Sequence, residues 1–479
     1  MATLFASLYT SADALDAFET AIGVIQNNVA SASVPGYANE NLDLTARPFE
    51  PTEGLLGGVE AGDIQSSRSQ YAEQSVWSQN ELLGSAAQQA TSLSSLQGLF
   101  DVSGQSGIPA ALSGLYSAFS AWSATPSDSV ARQQVINAAQ QMAQAFNETS
   151  SGIQTVESQT DAQAKSTVRQ INQLTSQIAA LNAQIRDGNA NDGGVQAQLY
   201  STLEQLSNLT GISVRIESDG TATVLMDGQV PLVIGTTQTQ LQVQNASAIG
   251  APNPNAPADL EIVSVDGQDV TSLASEGQLG GLLQFRNVML PSIIGNGYQQ
   301  GSLNQLAQRI ADRVNALLTS GQVSSGPPAV PGSPLFTYAA GSPTSVAGTL
   351  ALDPSITASQ LAAIDPGPPP VANGIADKLA GLATSQNAPD LINGLSYTQF
   401  YGGIASNVGQ QEASASQNQE LQTQLLTQAQ SLRSQISGVS LNEQAAKLLE
   451  FQQAYEASAQ VIKTISDTSL DLLTVLQNP

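Results

Sequence analysis

Apolar residues recur at three- and four-residue steps over both ends of the chain. Residues 4–34 carry Leu8, Ala12, Leu15, Phe18, Ile22, Ile25 and Val29. Residues 441–477 carry Leu441, Leu448, Tyr455, Ile462 and Leu476 on a seven-residue lattice, with Ala445, Phe451, Ala459, Ile465, Leu472 and Leu473 between them. This spacing predicts two long amphipathic helices that pack side by side. A helix of about 35 residues is roughly 52 Å long, longer than most helices of compact domains. Neither stripe can be buried by its own helix. The reading is therefore a coiled-coil base built from 1–40 plus 440–479, ordered on assembly, with the rest of the chain inserted between its two strands.

Helical spacing returns at 76–100 (Leu82, Leu83, Ala86, Leu93, Leu96, Phe100) and at 109–124 (Leu112, Leu115, Tyr116, Phe119, Trp122). A further helix is predicted over about 128–160, with Asp128 as its N-cap. Val168, Ile171, Leu174, Ile178, Leu181 and Ile185 then make a heptad stripe. Residues 38–75 read as extended chain and turns, because Arg47–Pro48, Glu50–Pro51 and Gly57–Gly58 interrupt any helix. From Gly211 the period changes to strict alternation. Ile212, Val214 and Ile216, then 221–226, 241–243 and 260–265, read as strands, with Asp219–Gly220 and Asp227–Gly228 as hairpin turns. A Gly-rich run at 276–286 opens a helix, and Leu303, Leu306, Ile310, Val314 and Leu317 mark its partner.

Residues 320–372 are rich in Pro, Gly, Ser and Ala, with 350–352 as a short edge strand. A short helix is expected at 373–386. A long one runs from Tyr397 to a break at Gly438, and Ser440 with Glu443 forms a capping box for the last. The fold class is α+β. Domains are expected at 41–206 plus 387–439 (a helical bundle) and at 207–386 (a β-rich outer domain holding a helical pair and the Pro/Gly-rich segment).

Composition narrows the chemistry. Of 479 residues only 11% are charged, 39 acidic against 14 basic, giving a net charge of −25. There is no Cys and no His, which removes the usual zinc sites, a cysteine nucleophile and a Ser–His–Asp triad. The charge balance opposes binding to a phosphate backbone. No run approaches the roughly 20 apolar residues that span a bilayer. The acidic, amphipathic start lacks the basic-then-apolar pattern of a cleaved signal peptide. The expectation is a cytoplasmic protein, or one exported with its N-terminus uncleaved.

Two loops invite ligands. The run 187–194 resembles a calcium loop, but Asp192 and Gln198 stand where an EF-hand needs Gly and Glu. It reads as a solvated polar turn. The Gly-rich run at 276–286 lacks the lysine of a phosphate-binding loop and reads as a helix entry. No metal, cofactor or catalytic set is indicated.

The run Asn27–Asn28–Val29–Ala30–Ser31–Ala32–Ser33–Val34–Pro35–Gly36–Tyr37 resembles the N-terminal signature of the bacterial flagellar axial proteins, the rod, hook and hook-associated proteins. Ser31 and Val34 stand where relatives carry Asn and Thr. The stretch from Leu115 to Arg132, the runs 170–185 and 276–319, and the C-terminal run 440–455 are similar to the hook-associated protein 1 family in particular. The resemblance covers nearly the whole chain in the same order. It implies an extracellular structural subunit, exported unfolded, that assembles as a ring of copies at the hook–filament junction. The implied partners are the hook protein, hook-associated protein 3, the export apparatus and a dedicated chaperone, with no nucleic acid and no membrane. The implied assembly interface is Leu8, Leu15, Ile22, Ile25, Asn27, Asn28, Pro35, Gly36, Tyr37, Leu448, Phe451, Tyr455, Ile462, Ile465 and Leu472. Competing readings are another axial protein (the hook protein or the filament-side junction protein) and an exported adhesin or enzyme with helical ends.

Overall fold

The computed structural model describes residues 2–50, 55–101, 103–247, 251–253, 256–326, 328–339 and 341–477. The chain starts with α1 (Ala2–Ser31) and turns at Gly36 into a hairpin of β1 (Glu40–Ala46) and β4 (Val59–Ser66), prolonged by β2 (Phe49–Glu50) and β3 (Leu55–Leu56). The segment expected as extended chain is thus a paired ribbon, with a register break between Leu42 and Leu44. It ends earlier than the spacing suggests. Ser69 accepts from the N–H of Ala72 and starts α2 (Gln70–Gln97) six residues before position 76.

Helix α3 (Gly107–Ala124) is followed by α4 (Ser129–Gln184), capped by Asp128 through the N–H of Val130. The stripes read separately at 128–160 and 168–185 belong to this one helix of 56 residues, about 84 Å long. It ends in a π turn, Ile185–Asn189. Asp192, in the calcium-like loop, caps α5 (Gly193–Leu209), accepting from Gly194 and Val195.

The alternating segment forms an antiparallel meander of β5 (Ile212–Ile216), β6 (Ala222–Met226), β7 (Val230–Ile234) and β8 (Thr237–Gln238). Asp227 and Gly228 both hold positive φ (47° and 68°), as a primed hairpin turn requires. β9 (Leu241–Asn245) pairs with β10 (Leu260–Ser264). Then come α6 (Gly277–Gln284), a π turn over Phe285–Met289, α7 (Leu290–Ile294) and α8 (Ser302–Ser320). The Pro/Gly-rich stretch holds β11 (Gln322–Ser324), β12 (Val330–Pro331), β13 (Phe336–Thr337), α9 (Val346–Thr349) and β14 (Ala351–Leu352). α10 (Gly374–Gly381), α11 (Tyr397–Ser437) and α12 (Leu441–Gln477) complete the chain.

Two apolar cores result. The first joins the end of α2, α3 and α4 up to Ile153 to residues between Phe285 and Ala415, including Leu335, Phe336, Leu350 and Leu361. The second joins Trp77, the C-terminal third of α4 and α5 to the strands of 212–264 and to Leu279, Leu282 and Leu283. The stretch 207–386, read as one β-rich domain, is therefore divided between them. Its later half carries α8, α9 and α10 in otherwise irregular chain, with strands of two or three residues. The physical reason is α4, whose apolar face continues along its length and offers each half of the inserted stretch a surface.

A polar layer separates the cores. Arg286, 4% exposed, binds Glu157 (2.6 Å), Asp161 (2.7 Å) and the carbonyl of Ala258 (3.0 Å). Beside it Gln88 exchanges hydrogen bonds with Gln163 and accepts one from Gln278. The Gly-rich run packs here. A Cβ on Gly281 would lie 2.7 Å from the carbonyl oxygen of Ser85, and one on Gly84 would lie 2.2 Å from that of Asn208. These glycines set how closely α2, α5 and α6 approach.

Five asparagines among the described residues share one geometry. Asn28, Asn172, Asn182, Asn287 and Asn315 each accept from the N–H and donate to the C=O of a single residue, at 2.7–2.9 Å. Those residues are Glu40, Leu241, Ala222, Leu260 and Phe336, the first residues of β1, β9, β6, β10 and β13. Each asparagine comes from a helical turn and serves as one rung of a ladder, pairing both backbone groups at the start of a strand.

One buried carboxyl makes the second core sensitive to pH. Glu81, on α2, is 6% exposed and accepts from the N–H of Ile212 at the start of β5. Burial pushes it from 4.5 up to about 8, the Ile212 bond opposes the rise, and Glu276 and Asp227 add to it. The folded chain thus keeps a proton that the unfolded chain gives up. The associated stability is full below 4.5 and is lost as pH rises through about 8. Glu81→Gln is expected to remove this fall. Thermal unfolding followed against pH should show variant and parent alike in acid, and the variant more stable on the alkaline side.

Candidate assembly site at the paired termini

The two terminal helices run antiparallel. Asn28 meets Gln444 at the inner end, and the rings of Phe18 and Phe451 lie 6.1 Å apart further out. On α1 the face turned inward is Ala17, Ala21, Val24, Ile25 and Asn28. This face is rotated from the sequence-derived stripe and shares Ile25 with it. Leu8, Leu15, Phe18 and Ile22 are half-buried, Ala12 is exposed, and Val29 is 46% exposed. The hairpin covers another side of α1, where Arg47 reaches Asp13 (2.6 Å) and Glu60 (3.1 Å).

One partner helix does not satisfy α12. Leu448, Phe451, Ile462 and Ile465 are half-buried against α1, while Tyr455 falls among the exposed residues. Leu441, Leu449, Val461 and Leu470 are about half exposed or more (47–61%). The side chains of Leu472 and Leu473 lie outside the described residues. Full burial of an aliphatic side chain contributes about 1.5–3 kcal/mol. The unburied part of this face is therefore a substantial potential gain for any surface that covers it.

Where the pair meets the body of the protein, the Asn27–Tyr37 segment forms a polar joint. Asn28, 1% exposed, uses all its hydrogen-bonding capacity. Its Oδ1 accepts from the N–H of Glu40 (2.9 Å) and from Tyr37 Oη (3.0 Å), and its Nδ2 donates to the carbonyl of Glu40 (2.7 Å) and to Gln444 Oε1 (3.3 Å). Gln444 in turn donates to Asn39 Oδ1 (3.0 Å). Asn27 is exposed and donates to Tyr37 Oη (3.2 Å) and Glu40 Oε2 (3.3 Å). Burial first, and then the Glu40 carboxylate, raise the Tyr37 phenol well above its usual range, so it remains a donor. Pro35 is exposed. Gly36 holds φ +77°, and a Cβ there would lie 2.3 Å from the carbonyl oxygen of Ala197, so this turn abuts α5 with no room for a side chain.

The two crossing strands of the joint are tied to each other. Asn39 N–H donates to the carbonyl of Ser437 (2.8 Å), and Ser437 Oγ donates to the carbonyl of Ser67 (3.1 Å). Beneath lies a cluster of two arginines and two glutamates. Glu73, with a side chain 2% exposed, receives Arg68 (2.6 Å) and Arg433 (3.2 Å), and Arg433 also binds Glu204 (2.6 Å). Arg68 donates to the carbonyl of Gly36 (2.6 Å) and stacks 3.7 Å from the centre of the Tyr200 ring. The charges balance, which a buried cluster requires. Sequence reading located Asn27, Asn28, Pro35, Gly36 and Tyr37 but not Gln444, Glu40, Arg68, Glu73, Glu204 or Arg433. An ion-paired arginine has no local sequence pattern, although five of these are charges in a chain with few.

The comparisons with known proteins concern this same architecture. Residues 93–336 match the model of the flagellar hook-associated protein FlgK helical domain. The chain belongs to this family. Residues 430–475, covering the end of α11 and most of α12, match the flagellar basal body rod FlgEFG protein C-terminal model. The chain is 27% identical to flagellar hook-associated protein 1 of Bacillus subtilis, over 98% of both chains. It is 22% identical to flagellar hook-associated protein 1 of Escherichia coli, over 94% of this chain and 96% of that one. The fold resembles the flagellar hook junction protein FlgK from Burkholderia pseudomallei, with a TM-score of 0.63 and 17% identity over 76% of this chain and 99% of that one. The family consists of structural proteins of the flagellum.

Asn28→Ala should open the joint without unfolding either core. It strands the N–H and C=O of Glu40, and leaving one such buried group unpaired costs about 1–3 kcal/mol. In the assembled structure, amide exchange at Glu40 is expected to accelerate by roughly 30-fold, equivalent to about 2 kcal/mol, with protection unchanged around Phe119 and Leu232. Unchanged exchange at Glu40 would reject the assignment.

Proposed function

We propose that this chain is the structural subunit that assembles at the distal end of the bacterial hook and joins hook to filament. The observation that carries the reading is α12, whose apolar face α1 covers only in part, in a chain similar to hook-associated protein 1 relatives from end to end. Copies set side by side in a ring bury the remainder of that face, with Leu8, Leu15, Ile22, Leu448, Phe451, Tyr455, Ile462 and Ile465 in the seam, while Ile25, 4% exposed, is already packed within the chain. The polar joint at Asn27, Asn28, Pro35, Gly36 and Tyr37 fixes the angle at which the pair leaves the body. The terminal pair gains its full order on assembly, because isolated long helices are stabilised mainly by tertiary packing.

The hook protein lies on one side and hook-associated protein 3 on the other. The subunit reaches this place outside the cell through the flagellar export apparatus, with a dedicated chaperone holding it beforehand. A chain without cysteine passes through in one covalent form. Its role is mechanical rather than catalytic.

Disruption of the gene is expected to leave hooks without filaments and to release flagellin into the medium. Filaments attached as usual would overturn the junction role. Ile462→Asp is expected to prevent incorporation while both cores keep their thermal transition. Exchange of the free subunit should be fast over residues 5–30 and 445–475 and slow in the assembled structure. Full protection in the free subunit would refute ordering on assembly.

A further inference from the structure

Five carboxyl side chains are buried among the described residues, those of Glu40, Glu73, Glu81, Glu157 and Asp390. Glu73, Glu157 and Asp390 each meet an arginine at 2.5–3.2 Å. Glu81 keeps its proton through burial. Glu40, 8% exposed, has no ion pair with any described residue. Its Oε2 accepts from two neutral donors, Tyr37 Oη at 3.2 Å and Asn27 Nδ2 at 3.3 Å. Both bonds are longer than the roughly 2.7–2.9 Å of a charge-assisted contact. Its Oε1 accepts from no described residue. A carboxylate offers about four acceptor positions, and Glu40 has filled only those on one oxygen.

Glu40 lines a cavity of about 250 Å³ between the β1–β4 hairpin and the start of α5, together with Ser66, Arg68, Asn191, Gln196 and Tyr200. Gly193 is on the same wall. A Cβ there would stand 2.5 Å from Glu40 Oε1, so the missing side chain leaves this oxygen uncovered. The start of α5 does not supply the bond, because the N–H groups of Gly194 and Val195 go to Asp192. Arg68 does not supply it either. Its guanidinium is held by Glu73 and by the carbonyl of Gly36. Arg68 and Arg433 are matched by Glu73 and Glu204, and the Glu40 charge is left over. The other polar groups on the wall are a hydroxyl and carboxamides, whose oxygens accept from N–H donors. A carboxylate withdrawn from water is costly until a cation pairs with it. The cavity therefore has the chemistry to take one ammonium or guanidinium group.

Copies of this chain are poor donors of such a group. Of its 14 basic residues, seven arginines and two lysines already sit in ion pairs. A body of net charge −25 attracts a basic partner over one like itself. We infer that the cavity beside Glu40 receives a lysine or arginine side chain from a different axial protein seated against the terminal joint. The site rests on the assembly reading and deepens it. The incoming N–H groups donate to Glu40 Oε1, so this ion pair is completed only when the neighbour is in place.

The test places a photo-crosslinking residue in the full chain as Tyr71→p-benzoylphenylalanine. Tyr71 is 73% exposed and follows Gln70, which lines the cavity. Flagella isolated from cells making this variant are irradiated. The expected product joins this chain to a different axial protein, through a peptide that contains Lys or Arg. The same replacement at Tyr298, 69% exposed and remote in sequence, should give at most a tenth of that product. Adding Glu40→Gln, which keeps the shape and removes the charge, should lower the product per incorporated chain at least fivefold. The amide of residue 40, held by Asn28, should stay as slow to exchange in those flagella as in the parent. Chain that incorporates but gives no product overturns the site and leaves the junction role standing. So does a product with a second copy alone, a partner peptide without Lys or Arg, or a yield that Glu40→Gln does not lower. Absence of the unaltered chain from hook–filament preparations overturns both.

Discussion

A helix and a strand end differ in what their backbones need, and in this protein asparagine reconciles them. The first residue of a strand with no neighbour on one side presents an N–H and a C=O that must be paired. A carboxamide from an adjacent helix supplies an acceptor and a donor at the right separation. This occurs at β1, β6, β9, β10 and β13, which include strands of both cores and of the terminal joint. The arrangement suits a chain with few charges, because a carboxamide brings no ion into the interior and asks for no counter-ion. Loss of these contacts would leave the small sheets, none above four strands among the described residues, without a defined seat on the helices.

The same economy of charge explains where ions do appear. Ion-paired arginines are found at two levels, the buried Arg286 between the cores and the half-buried Arg68 and Arg433 beneath the terminal joint. Both levels are boundaries at which one packed unit meets the next. Apolar contact is non-directional and tolerates sliding, whereas a guanidinium held by two carboxylates fixes one geometry. The cores supply cohesion, and the ionic levels set the relation between units along α4 and α11.

Much of the helical architecture was legible in the sequence, because long stripes such as Val168–Ile185 and Leu303–Leu317 carry their periodicity openly. The caps at Asp128 and the turn at Asp227–Gly228 were equally plain, since those residue types do little else at such positions. The partition of the inserted stretch was not legible. Nothing local in Leu335, Leu350 or Leu361 tells which end of an 84 Å helix (about 1.5 Å per residue) they will meet. The inner face of α1 was legible at Ile25 and Asn28 but not at Ala17 and Ala21, which are weakly apolar by composition. At the joint, the signature Asn27–Tyr37 was visible, but its partners Gln444 and Arg433 lie some four hundred residues away in the chain.

The antiparallel pairing of the ends also has a mechanical side. Both chain crossings between the terminal pair and the body occur at one level, where Asn39 is bonded to Ser437 and Asn28 to Gln444. A pull on the pair is therefore divided between two covalent strands, and the hydrogen bonds joining them are strained together rather than one after another. Bonds loaded side by side fail at a higher force than bonds opened in series like a zip. A torque reaching the terminal helices passes into the body as a couple across two anchor points, and the joint behaves as a stiff bracket instead of a swivel.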